Sequence, residues 1–292
     1  MRARGAALLL VLWLLVLLTG VISVFALSAR TEGLQGRFLG RSVSARYIAE
    51  AGIEVAVIRL QGNDDATRWA PDGRVNEFDF EGMKLQVRVV DESGKVDLNS
   101  ADLDVLVGVM RALGVDEPRA RQLAGAIIDW RDQDNLLSPE GGAEDPEYAA
   151  AGLPYGAKDR PFQAVSELRQ VLGMDEQVYR VLVPYLTVYT NMARPDTRFA
   201  AEPVLRGLGL TDEQIAQILV DRESRQPGQS SVAADAGNNT LAPQGTGTYS
   251  IRSRAIRPDG TQAEINATLR LGTGGSIGLL YTPLSWRVGE PD

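Results

Sequence analysis

From Ala6 to Leu27 the chain runs for 22 residues without a charge. As an α-helix rising about 1.5 Å per residue, this run covers roughly 33 Å, enough to cross the hydrocarbon core of a bilayer. Arg2, Arg4 and Gly5 stand directly before it, and no acidic residue occurs until Glu32. The basic end is therefore expected to stay cytoplasmic, with the chain crossing the inner membrane once and its body, from Ala29 onward, lying in the periplasm.

Three processing schemes fit these flanks. Left uncut, the run is a single-pass membrane anchor. Cut after Val24-Phe25-Ala26, it is a secretory signal, although such signals carry an apolar core of only about 7–15 residues. Cut after Gly5, so that the mature chain begins at Ala6, it resembles a type IV prepilin leader, a short basic peptide removed on the cytoplasmic side of the membrane by a prepilin peptidase.

Composition narrows the chemistry of the body. With 292 residues, 44% of them hydrophobic, the chain can fold one or two domains beyond the leader. Its net charge is −8, and −10 without Arg2 and Arg4. A body this acidic gains little by releasing phosphate counterions and is a poor partner for nucleic acid. There is no Cys and no His, which excludes disulfides, Cys/His zinc sites and His-dependent triads. A metal can be held only by oxygen ligands, which points to calcium or magnesium. No Ser sits in a nucleophile elbow and no acid pair stands out, so the chain is not expected to be an enzyme.

After the apolar run the helical period continues. Ala45, Ile48, Ala49, Gly52, Ile53, Ala56, Val57 and Leu60 form a stripe, with Arg46, Glu50, Glu54 and Arg59 opposite. Gly33, Gly36 and Gly40 predict a soft point in one long helix that ends at Gln61-Gly62-Asn63-Asp64. Met83, Leu85, Val87 and Val89 alternate with polar residues as a half-buried strand does. Asp91 to Gly94 reads as a turn and Lys95 to Leu98 as a brief return strand. Far away, Tyr249 to Ala255 and Ala263 to Leu271 alternate on either side of Pro258-Asp259-Gly260, a hairpin. An isolated hairpin is marginal in water, so it is expected to join the Met83 strand in one antiparallel sheet packed on the first helix. The segments Ile277 to Tyr281 and Leu284 to Val288 read either as one more strand or as a tail.

What lies between is an insertion, and it repeats. Ala112 to Glu117, Val171 to Glu176 and Gly207 to Glu213 share one grammar: an apolar helix ends at a glycine, and an Asp or Thr caps the next helix. These helical hairpins resemble the helix-hairpin-helix or SAM-like family, which implies DNA binding. Acids stand where phosphate would sit, which favours a protein-binding or spacer domain over a membrane-anchored periplasmic DNA-binding protein. The expected division is 1–5 leader, 6–27 membrane half of the helix, 28–98 helix and first strands, 99–223 inserted helical domain, 224–247 linker and 248–292 closing strands.

Between the first two hairpins lies a dense acidic cluster. Asp132 and Asp134 can converge on one cation where the chain turns, and Glu144 with Asp145 can close the shell across Gly141-Gly142; Asp129 and Glu140 are nearby. The loop is not an EF-hand, because Leu136 and Leu137 stand at ligand and glycine positions of that motif. A solvated acidic loop is the other reading.

Taken together, the leader, Val96 to Asn99, Ile127-Ile128-Asp129-Trp130, Gly142 to Asp145 with Tyr148, Pro161-Phe162 before Glu167-Leu168, and Val183 to Thr187 resemble the type II secretion system minor pseudopilin K family, also called general secretion pathway protein K. The resemblance implies an α+β, pilin-like fold with a long N-terminal helix on an antiparallel sheet and a large all-α insertion. It implies assembly with the minor pseudopilins I and J at the tip of the pseudopilus. It also implies calcium in the helical domain, with Asp132, Asp134, Glu144 and Asp145 as candidates, and cleavage between Gly5 and Ala6. Leu10 stands where most prepilins carry a glutamate, and lack of that glutamate is what the K resemblance implies.

Overall fold

The computed structural model describes residues 4–62, 67–139, 141–224, 247–272 and 280–289. Helix α1 (Arg4–Gln61) is continuous, and Gly33, Gly36 and Gly40 lie inside it without breaking it. Its two halves differ in what surrounds them. From Leu8 to Leu27 the side chains are exposed all round, and the helix is long and apolar enough to cross a membrane. From Ala45 the expected stripe is buried: Ala45, Ala49, Ile53, Ala56 and Val57 have no exposure. Gly52 belongs to that stripe because a Cβ there would lie 2.2 Å from Ser253 Oγ.

Strands β1 (Asp72–Phe80) and β2 (Met83–Asp91) form a hairpin whose two-residue turn, Glu81-Gly82, has positive φ at both positions. That backbone turn matches the twist of paired strands. β1 has no counterpart in the sequence reading, since none of its positions is fully buried and its sequence lacks a clean apolar alternation. The insertion follows as β3 (Val96–Asp97), α2 (Leu103–Ala112), α3 (Glu117–Arg131), α4 (Asp145–Ala150), α5 (Glu176–Leu182), β4 (Leu186–Thr187), α6 (Glu202–Gly207) and α7 (Asp212–Ser224). The chain re-enters the sheet through β5 (Thr248–Ile256), β6 (Gln262–Leu271) and β7 (Tyr281–Val288).

Sheet order is β1-β2-β5-β6-β7, every neighbour antiparallel. The distant hairpin thus pairs with the Met83 strand as expected, and the Tyr281 to Val288 segment is a strand rather than a tail. Leu85, Val87, Val89, Ile251, Ile265 and Leu269 pack on the α1 stripe as one core. A second core, from Val96 to Ile215, belongs to the helical insertion. Val96 and Leu98 lie in this second core, and β3 pairs in parallel with β4 instead of returning along β2. Period-2 patterning cannot reveal a partner 90 residues away.

The three repeated turns have the anticipated physics. Gly114, Gly173 and Gly209 take positive φ. Asp116 and Asp175 accept from the backbone N–H groups of Arg119 and Val178, while Thr211 and Gln214 cap each other reciprocally. The arm before Gly173 is a 3-10 helix, Val165–Gln170, not an α-helix.

The insertion stands at one end of the sheet. The β5–β6 turn lies beside the middle of α1, where Asp259 pairs with Arg41 and Arg257 donates to Ser44. At the other end Tyr281 donates to Glu54 and the Gln61 side chain to the Leu280 carbonyl. β2 leaves the sheet, and β5 enters it, at this second end, where Asp91 pairs with Tyr249. The helical body is therefore mounted at the end of α1 farthest from its apolar half. Buried Glu92 fixes the junction by accepting from Lys95, Thr187 and Ser250.

A candidate metal centre in the helical insertion

The site begins where α3 stops. Asp132 caps the end of α3, its N–H bonding to the Ile128 carbonyl at 3.1 Å. Arg131 turns away and donates to the carbonyls of Leu98 and Ala101, so its charge anchors the helix end instead of filling the loop. Asp129, fully buried, accepts from both the N–H and the hydroxyl of Ser138 and folds residues 132–138 back over the helix. The closure needs glycine at position 142, where a Cβ would lie 1.8 Å from Asp129 Oδ2 and 2.9 Å from Ser138 N.

This fold brings together Asp132, Asp134 and Glu144, each offering a carboxylate oxygen within 4.8 Å of the others. Asp134 spends one oxygen on the Leu136 N–H at 2.8 Å, a local turn that leaves the other free to face the cluster. Glu144 precedes α4, and its backbone N–H donates to the Glu147 carboxylate at 3.0 Å. Buried oxygens of Asp132 and Glu144 have no hydrogen-bond partner among the described residues.

A fourth acid comes from further along the chain. Asp159 holds a left-handed φ of 53°, rare outside glycine and its short polar relatives, and also has a buried oxygen without a partner. Its charge acts on both Asp132 and Glu144. Nothing in its sequence spacing marked it, because it is 15 residues from Glu144 and arrives through tertiary packing. Asp145 is the first residue of α4, exposed and set against Gly156, outside the group of three. Asp129 is engaged with Ser138, and Glu140 lies outside the described residues. Gly5 and Ala6, the expected cleavage pair, stand in the first turn of α1, and Leu10 is on its exposed apolar face.

Close to Asp132 in the chain, Trp130 lies 5.9–6.4 Å, centroid to centroid, from Tyr148, Tyr155 and Phe162. Burial of converging carboxylates disfavours their charged forms. Burial, then the charge of Asp129 and the neighbouring acids, pushes the Glu144 carboxyl up to about 7. Asp132 is raised for the same reasons, burial first and Asp134 next. A site of oxygen donors only, with unpartnered buried oxygens and mutual repulsion, fits a hard divalent cation and calcium's tolerant geometry.

Comparison with known proteins covers the same region. Residues 84–191 match the family model described as type II secretion system (T2SS), protein K. The type II secretion system protein K of Klebsiella pneumoniae is 30% identical over 264 residues, covering 80% of this chain and 78% of that protein. That of Pseudomonas aeruginosa is 29% identical over 215 residues, 68% of this chain, and the match spans 64% of that relative's length. Among solved structures, the crystal structure of the GspK-GspI-GspJ complex from the enterotoxigenic Escherichia coli type 2 secretion system contains a chain with the same fold. It aligns with a TM-score of 0.57 at 19% identity, covering 90% of this chain and 99% of that one.

Proposed function

The chain belongs to the type II secretion system protein K family, and from that premise we propose that it is a minor pseudopilin at the tip of the pseudopilus. In this role it assembles with the minor pseudopilins I and J, starts and caps the fibre, and serves export across the outer membrane. The observation that carries the tip position is the place of the insertion. It is mounted beyond the far end of α1, and a subunit with that bulk above its sheet offers no flat top on which another can stack.

α1 anchors the chain in the inner membrane, with the body in the periplasm. A prepilin peptidase cuts between Gly5 and Ala6 and methylates the new terminus. Once the subunit joins the fibre, the apolar half of α1 passes from lipid to the bundle of neighbouring helices. Leu10 leaves that half without a buried carboxylate, which suits a subunit that needs no charge partner.

Asp132, Asp134 and Glu144 would hold calcium, with Asp159 nearby and Asp145 as the outer candidate. The ion would neutralise the converging acids and so hold the loop of residues 132–138 on α3; the residues themselves do the rest, Asp129 through Ser138 and Gly142 through its missing side chain. No chemistry on a substrate follows from this arrangement, and the role is structural.

Mass spectrometry of the mature N-terminus from the producing cell tests the assignment. A chain starting at Ala6 with one added methyl is expected. A chain starting near Leu27 would overturn it.

A further inference from the structure

Asp91, the last residue of β2, is fully buried far from the acidic cluster. Its Oδ1 accepts from the Ser93 N–H at 2.9 Å and from the Ser93 hydroxyl at 2.7 Å. Its Oδ2 is also buried and has no hydrogen-bond partner among the described residues. The cap on Ser93 uses one acceptor oxygen, which an asparagine supplies equally well. What the acid brings to this position beyond the cap is a proton that can leave.

The described charged groups around it are already engaged with one another. The turn after β2 contributes Glu92, bonded to Lys95, Thr187 and Ser250. Residues 196–198 contribute Asp196 and Arg198, and both Asp196 oxygens hold the Arg198 guanidinium. β5 contributes Tyr249, whose buried phenol is held neutral by burial and by Asp91 itself. On β1, Asp72 and Arg74 pair with each other, and Arg222 of α7 donates to the carbonyls of Thr197 and Ala200. Burial, opposed by the Ser93 bonds and reinforced by Asp196 and Glu92, lifts the Asp91 carboxyl from 3.8 to about 6.

Asp91 also stands where the two bodies of the molecule join, at the end where β2 leaves the sheet and β5 enters it. Ser93 carries the connection. Its N–H and hydroxyl bond the buried acid, and its carbonyl accepts from the Asp196 N–H of the helical body at 2.8 Å. Gly94 packs so closely on the same segment that a Cβ there would lie 2.4 Å from the Phe199 carbonyl. We propose that this junction is a proton-dependent latch: loss of the Asp91 proton loosens the hold of Ser93 and Gly94 on residues 196–200, and with it the hold of the sheet on the helical body. A charged Asp91 beside Glu92 and Asp196 gains by reaching water, and parting of the two segments lets water in. The closed latch keeps its proton to higher pH than an open, solvated one, so the hold weakens as pH rises through the folded value. With 3.8 for the open state, opening becomes about tenfold easier between pH 5 and pH 8. The latch depends neither on the metal site nor on the tip assignment.

Hydrogen exchange followed by mass spectrometry on the full chain in detergent micelles tests this, with intrinsic exchange rates divided out at each pH. Protection of peptides spanning 92–95 and 196–200 should fall about tenfold from pH 5 to pH 8 in the wild type. In Asp91→Asn it should keep its pH 5 value throughout. Asp196→Asn, which leaves Arg198 free to pair with Asp91, should shrink the fall while Asp91 still titrates. A wild-type melting temperature at pH 5 verifies that each variant is folded. A wild type without pH dependence, an equal fall in Asp91→Asn, an undiminished fall in Asp196→Asn, or an equal loss of protection in β6 would overturn the proposal.

Discussion

Glu144→Gln should stabilise the cation-free protein at alkaline pH while abolishing its response to calcium. Glu144 is 4% exposed, and burial beside the charge of Asp129 lifts its carboxyl from 4.5 to about 7. Between these values the folded state holds a proton that the unfolded chain has released, so stability falls as pH rises through the window. At about 1.36 kcal/mol per unit, the loss is roughly 3 kcal/mol once pH exceeds 7, an upper bound because the neighbouring acids titrate together. A domain of this size shifts its midpoint by about 2–4 °C per kcal/mol, so the change is on the order of 10 °C. Thermal melts followed by circular dichroism, in chelator at pH 5 and pH 8, read it directly. Without the ion the wild-type melt should drop between the two pH values and Glu144→Gln should drop less. Calcium should restore the wild type at pH 8, by about 2.7 kcal/mol at a hundredfold excess over Kd, and leave the variant unmoved. Equal pH dependence of the two proteins in chelator, or equal response to calcium, would refute the reasoning.

Three further outcomes follow from other positions. Asp91 is fully buried, caps the Ser93 N–H with one oxygen and leaves the other unpartnered, and burial raises its carboxyl to about 6. Asp91→Asn keeps the cap, so it should match the wild type near pH 4 and exceed it by up to roughly 3 kcal/mol at pH 8 in denaturant titrations. Gly142→Ala drives a Cβ into Asp129 and should cost about 2–4 kcal/mol and remove the calcium-dependent rise in melting temperature. Gly108→Ala meets the Gly207 carbonyl at 2.0 Å where α2 crosses α6, and should lower the melt by a comparable amount with the calcium response retained.

How far the fold could be read from the residues depended on range. The α1 stripe, the strand from Met83 and the hairpin around Pro258-Asp259-Gly260 announce themselves by local period, and the repeated glycine turns by local capping chemistry. β1 did not, because an edge strand with no fully buried position needs no apolar alternation. The parallel pairing of Val96-Asp97 with Leu186-Thr187 joins segments 90 residues apart and leaves no local trace. The acidic cluster divides the same way: the convergence of Asp132, Asp134 and Glu144 was legible as acids around a tight loop, whereas Asp159 enters by packing and Asp145 faces Gly156 instead.

The location of the chain in an assembled fibre tests the central claim most directly. Pseudopili carrying the full chain with a small epitope in the exposed loop after Asp134 should show label at one end only, in electron micrographs of gold-tagged fibres. Label distributed along the length would contradict a tip subunit and the account built on it.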